Sequence, residues 1–134
     1  MTRAQRRTIE SHFYNYEKER NECADYISSR MLAGMGMDYS KEKVCSSHGN
    51  AVEDRIIKTL DDYNRKYQWC IVYEKTLERV KWTQKDKLMQ MRYIDKNHQV
   101  CICDVIGISD RTLRYWVEDI LNIAYMWAQE FDLL

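Results

Sequence analysis

The chain has 134 residues, with 21 basic and 21 acidic side chains, no net charge, no proline and only four glycines. So little turn-forming material excludes a β-sandwich or barrel, which needs a turn roughly every ten residues. The scattered glycines also exclude a glycine-rich phosphate loop. Apolar residues make up 45% and charged residues 31%, a balance that suits a folded helical protein rather than a disordered chain.

The first pattern runs from about Ala4 to Ala33. Ile9, Phe13, Tyr16, Cys23, Ile27 and Met31 recur at intervals of four and three, with Arg20 at the missing beat. This spacing predicts one amphipathic helix with a single apolar stripe. Arg3, Arg6 and Arg7 precede the stripe and read as a frayed, solvated terminus. Gly34 stands where a C-terminal cap belongs, and the glycine- and serine-rich window from Gly34 to Gly49 breaks the pattern.

The second pattern runs from about Ala51 to Lys81, with Asn50 and Glu53 spaced as a capping box. Val52, Ile56, Leu60, Tyr63, Tyr67, Cys70 or Ile71, Leu77 and Val80 mark its buried face. A helix of about 45 Å cannot hide such a stripe alone, so an antiparallel pairing with the first helix is expected. Tyr63, Tyr67, Trp69, Ile71 and Tyr73 are spread around the helix. Within the hairpin over residues 1–82, a homodimer through residues 51–81 is therefore expected as well.

From Thr83 onward the helices shorten. Thr83 reads as the cap of a helix carrying Leu88, Met91 and Ile94, followed by a polar turn from Asp95 to His98. Val100 to Ile106 is a short apolar helix that Gly107 ends, and Ser109 caps a last helix carrying Leu113, Trp116, Ile120, Ile123 and Trp127. Helix, tight turn and capped helix form an arrangement whose second member enters a DNA major groove. The candidate DNA-binding residues are Ser109, Asp110, Arg111, Thr112, Arg114 and Tyr115, with Lys96 and His98 from the preceding turn. Arg111 and Arg114 each carry the fork that fits guanine O6 and N7. In the tail, Trp127, Phe131 and Leu134 form one apolar edge expected to pack back on the domain.

Charge is divided unevenly. Residues 1–82 carry 15 basic and 13 acidic groups, and residues 83–134 carry 6 and 8. The best motif thus lies in the acidic part, and an isolated copy is expected to bind DNA weakly.

Other constellations point to no chemistry. Cys45-x-x-His48 and His98-x-x-Cys101-x-Cys103 are loosely spaced and far apart, so no metal is expected. Adjacent carboxylates such as Asp61-Asp62 and Glu118-Asp119 diverge by about 100° on a helix. No hydrolase or metalloprotease motif occurs. Neither enzymatic activity nor a cofactor is expected. With no export signal and no apolar membrane span, the five cysteines read as reduced thiols of a cytoplasmic protein.

The string Ile108-Ser109-Asp110-Arg111-Thr112 resembles the helix-turn-helix of sigma-factor region 4. The whole layout resembles the RinA-type late transcriptional activators of phages. It comprises a first helix with Tyr14 and Tyr16, a variable loop, an entry at Ala51-Val52, a long helix ending near Leu77 to Val80, and a helix containing Met91-Arg92-Tyr93-Ile94. Relatives often carry a proline where Asn15 stands. The resemblance implies an all-α fold: a long helical hairpin over 1–82, then a region-4-like helix-turn-helix domain over 83–134. It also implies a transcriptional activator of phage late genes that acts on promoter DNA with host RNA polymerase in the bacterial cytoplasm. The alternative is a non-enzymatic helical adaptor in phage packaging or assembly.

Overall fold

A computed structural model describes the backbone of residues 1–36 and 49–134, and the side chains of residues 1–29 and 60–134. The described residues are helical, without strands. The elements are α1 (Arg3–Tyr14), α2 (Tyr16–Gly36), α3 (Gly49–Val80), α4 (Lys85–Met89), a π-helical turn (Gln90–Ile94), α5 (Gln99–Ile106) and α6 (Asp110–Glu130). None of the helices among the described residues is long and apolar enough to cross a membrane.

The first pattern is two helices rather than one. The chain bends at Asn15, and α2 restarts at once, with Glu19 N–H on the Asn15 carbonyl. Residues two apart on a straight helix point in nearly opposite directions, yet Tyr14 packs edge-on to Tyr93 and Tyr16 stacks on Tyr73. The bend lets both rings reach the core. The terminus is not frayed. Thr2 and Gln5 close a reciprocal capping box, so the basic residues Arg3, Arg6 and Arg7 lie on an ordered helix.

Cross-pairs give the relation of α2 to α3. Tyr16 donates to Glu74, Lys66 pairs with Glu22, and Tyr26 stacks on Tyr63. Partner numbers fall as α2 numbers rise, so the two helices run antiparallel. The buried face of α3 differs from the expected stripe. Trp69, Cys70, Val72, Tyr73, Thr76 and Val80 are buried, whereas Tyr67 is 53% exposed, as is Ile27 of α2 at 51%. The reason is a third neighbour, since α6 packs along the C-terminal half of α3. Trp69 and Tyr73, expected to be surplus surface on the hairpin, are covered within one chain by the N-terminal helices: His12 stacks on Trp69, and Phe13 and Tyr16 pack on Tyr73. Met31, Val52, Ile56 and the Asn50–Glu53 cap lie outside the described side chains.

One hydrophobic cluster joins Ile9, Phe13 and Tyr16 to Val72 and Tyr73, to Leu88, Met89, Met91 and Tyr93, and to Ile102, Leu113, Val117, Ile120, Leu121 and Ala124. Residues on both sides of position 82 thus share a core. The connections use non-glycine residues in the left-handed region: Trp82, Gln84, Lys96 and Asp132 all have positive φ. Thr83 does not cap α4. Its hydroxyl donates back to the Val80 carbonyl, and Gln84 takes the N-cap position without a side-chain bond. At the other end, Asp132 N–H bonds to the Gln129 carbonyl and Leu133 N–H to the Ala128 carbonyl, a Schellman closure. Leu133 is buried, Phe131 and Leu134 pack on the cluster, and Trp127 lies beneath the ammonium of Lys75 from α3.

Burial pushes the Cys70 thiol up from 9.0 to about 12 and the Tyr73 phenol from 10.0 to about 12, and it raises Tyr16 and Tyr93 as well. Each stays neutral in the fold and ionises earlier in the unfolded chain. The stability they contribute is complete below about pH 9 and is lost as pH rises toward about 12. The urea midpoint should fall steadily between about pH 9 and about pH 11. A flat midpoint over that interval would show that these groups are not held in their neutral forms.

Candidate nucleic-acid interface

The site is built from α5, a three-residue turn and α6. Gly107 closes α5 at φ +79°, and the Cys103 carbonyl accepts from the N–H groups of both Gly107 (2.8 Å) and Ile108 (3.1 Å). This left-handed residue is the reason for glycine here, because a Cβ would meet nothing within 4 Å. Ile108 packs on the core. Ser109 then caps α6, with its Oγ accepting from Thr112 N–H at 3.2 Å. The Cys103 thiol donates to Asp110 Oδ1 at 3.3 Å, which ties α5 to the first residue of α6. Burial, followed by this bond to Asp110, raises the Cys103 thiol above its usual range. Cys101, two residues away, is exposed.

The six residues from α6 and its cap lie together on the first two turns. Ser109 and Thr112 are engaged with each other at the cap, their hydroxyl oxygens 3.0 Å apart. Asp110 is exposed, but one of its oxygens is turned back to Cys103. Arg111 lies along Tyr115, with Nη2 3.4 Å from the phenol oxygen and Cζ 5.7 Å from the ring centre. Tyr115 is 59% exposed, and Arg114 is also exposed. Lys96 and His98 are exposed in the turn before α5, where Lys96 has positive φ and His98 takes the N-cap position without a side-chain bond.

Electrostatics at the site depends on which charges have partners. Glu118 and Asp119 follow the two arginines on α6. Arg6 of α1 pairs with Glu118 at 2.7 Å, and Lys85 of α4 pairs with Asp119 at 3.1 Å. Among the described residues neither Arg111 nor Arg114 has a carboxylate partner. The two carboxylates that follow the arginines on α6 thus have partners, and the arginines are left open. Two further basic residues near the motif are paired with carboxylates, Lys85 with Asp119 and Arg92 with Glu10.

The sequence reading missed Arg6 as part of this site. The available signal was the i, i+3 spacing of Arg3 and Arg6 behind a Thr-x-x-Gln box, which marks a helix start rather than a loose end. Arg6, Arg92, Gln99, Leu113, Arg114 and Val117 line a cleft of about 230 Å³. Among the described residues no three His, Cys, Asp or Glu side chains gather as a metal site would require. The chain matches no family model, no curated protein and no solved structure.

The turn carries its own test. Gly107→Ala has room for the methyl group, so its cost is that of the left-handed backbone alone, about 1–2 kcal/mol. Ser109→Ala should lose about 1 kcal/mol through the cap. Urea denaturation of both variants measures this, and a neutral Gly107→Ala would contradict the left-handed turn.

Proposed function

We propose that the protein is a sequence-specific DNA-binding transcriptional regulator that reads the major groove with the first two turns of α6. The observation that carries this reading is the charge arrangement of that helix. Arg111 and Arg114 are exposed on a capped helix start without a carboxylate partner among the described residues, and the carboxylates that follow them are held by Arg6 and Lys85. Arg111 and Arg114 then supply forks for guanine, with Asp110 and Tyr115 beside them in the groove and Ser109 and Thr112 beside the phosphates. The turn geometry at Gly107 and Ser109 supports the likeness to sigma-factor region 4. The bend at Asn15, where RinA-type relatives often carry proline, supports the likeness to those phage late activators.

On this reading the protein activates phage late genes in the cytoplasm of a bacterial host, with RNA polymerase as its second partner. A second copy is the occupant assigned to the groove lined by Cys23, Ile27, Tyr63 and Tyr67, where two large apolar side chains are half exposed. Sedimentation should therefore show a dimer at tens of micromolar, the regime in which interfaces of about 1,600 Å² persist. A monomer there removes this part.

One observation favours the alternative, a non-enzymatic helical adaptor in phage assembly. The outer face of α5 exposes Val100 (67%) and Val105 (56%), which suits a protein partner better than a phosphate backbone. The two readings separate in binding assays with duplexes selected from a randomised pool, at low and at moderate salt. Arg111→Ala and Arg114→Ala should each weaken specific binding by about 1–3 kcal/mol and leave the circular dichroism unchanged. Failure of the pool to yield any bound sequence would favour the adaptor.

A further inference from the structure

The arginines at the start of α1 form a basic cluster that groove reading does not use. In the fold α1 lies against α6, and three guanidinium groups from three separate elements face one cleft: Arg6 of α1, Arg92 of the π-helical turn and Arg114 of α6. Like charges gathered in this way repel unless something offsets them. Two carboxylates do so in part, Glu118 on Arg6 at 2.7 Å and Glu10 on Arg92 at 3.2 Å. Arg114 has no such partner among the described residues, so one positive charge is left over.

Two further details distinguish the cleft from an ordinary surface. Arg92 is held there, its side chain only 20% exposed, with an acceptor for Nη2 and a buried Nε that has none. The cleft wall is apolar, formed by Leu113 and Val117, both buried, and charge interactions strengthen beside such a wall. Gln99 adds a neutral amide.

We propose that this cleft is a phosphate site, in which Arg6 forks onto the oxygens of one phosphate group, Arg114 adds its uncompensated charge beside them while its own fork reads guanine, and Arg92, anchored by Glu10, supplies the fixed charge behind. A tetrahedral anion presents oxygens to donors arriving from three directions, whereas a planar carboxylate is satisfied by one guanidinium fork. The Arg6–Glu118 pair is about half exposed on both sides, 41% and 45%. Such pairs are weak, so Arg6 exchanges Glu118 for phosphate at little cost. The cleft borders the helix turn that carries Arg114, which makes a backbone phosphodiester flanking the read bases the source favoured here. That assignment rests on the DNA-binding reading above. A free compound bearing a phosphate group offers the same chemistry.

Two measurements on the full chain test the site and its source separately. In the first, nitrogen-15 NMR follows the arginine Nε–H groups and the Leu113 amide while inorganic phosphate is added, against chloride at equal ionic strength. A saturable response to phosphate alone is expected. It should be several-fold weaker in Arg6→Ala, intermediate in Arg6→Lys and tighter in Glu118→Gln, which releases Arg6. Equal responses to phosphate and chloride would overturn the site.

In the second, affinity for selected and for random duplexes is measured against salt. Arg6→Ala should lower both affinities alike and reduce the salt slope by about 0.9, the share of one phosphate. A phosphate response with an unchanged slope overturns the DNA source and assigns the cleft to a free phosphate compound. If no duplex binds but the phosphate response is intact, the DNA-binding reading falls and the site stands. If Arg111→Ala still abolishes sequence preference while both Arg6 effects are absent, the site falls and the DNA-binding reading stands.

Discussion

The Phe13 ring stands edge-on to Tyr73 at 5.1 Å and to Tyr93 at 5.2 Å. Three segments distant in sequence meet there: α1, the C-terminal half of α3 and the π-helical turn. Each such aromatic contact contributes about 0.5–1.5 kcal/mol beyond the area it buries. Phe13 is fully buried, and its place determines where the rest of α1 lies. Because Phe13 is anchored, Arg6 two turns earlier reaches Glu118, and Glu10 reaches Arg92. The charge arrangement on α6 therefore depends on an aromatic contact made elsewhere in the core.

This dependence reconciles two properties that conflict in the sequence. The chain carries no net charge, and the helix pair proposed to read DNA sits in an acidic segment. Net charge matters less than which charges remain open toward a ligand. Carboxylates paired across helices contribute little field at the opposite face, and the remaining repulsion is screened within about 8–10 Å. The protein obtains a locally basic helix start by folding its N-terminal helix against its C-terminal one.

The α5–Gly107–Ser109–α6 segment was legible because its signals are local: a glycine at the left-handed residue, a serine at the cap and an apolar period on either side. The long helix α3 was legible for the same reason, whereas no glycine or proline marks the break at Asn15 that divides the first pattern. What could not be read depends on contacts between distant segments. Nothing near Trp82, Gln84, Lys96 or Asp132 announces a left-handed conformation, which surrounding packing imposes. Trp69 and Tyr73 looked like uncovered surface because the rings that cover them, His12, Phe13 and Tyr16, lie more than fifty residues earlier in the chain. Arg6 looked like part of a loose end because its partner is 112 residues away. The same nonlocality hides the pairing of Lys85 with Asp119 and of Arg92 with Glu10.

The π-helical turn gives the molecule a rotational phase that ordinary helix geometry would not supply. Over Gln90–Ile94 the backbone takes one residue more per turn, with Asp95 N–H reaching back to the Gln90 carbonyl. Met91 and Tyr93, two apart, are both buried, and Arg92 between them lines the cleft. Removing a single residue here would restore α-helical winding and turn everything on one side by about 100° relative to the other. Arg92 would swing out of the cleft, or the rings that anchor α1 would lose their register. The length of this five-residue segment is therefore constrained as tightly as its composition, which makes it a place where substitution is tolerated more readily than insertion or deletion.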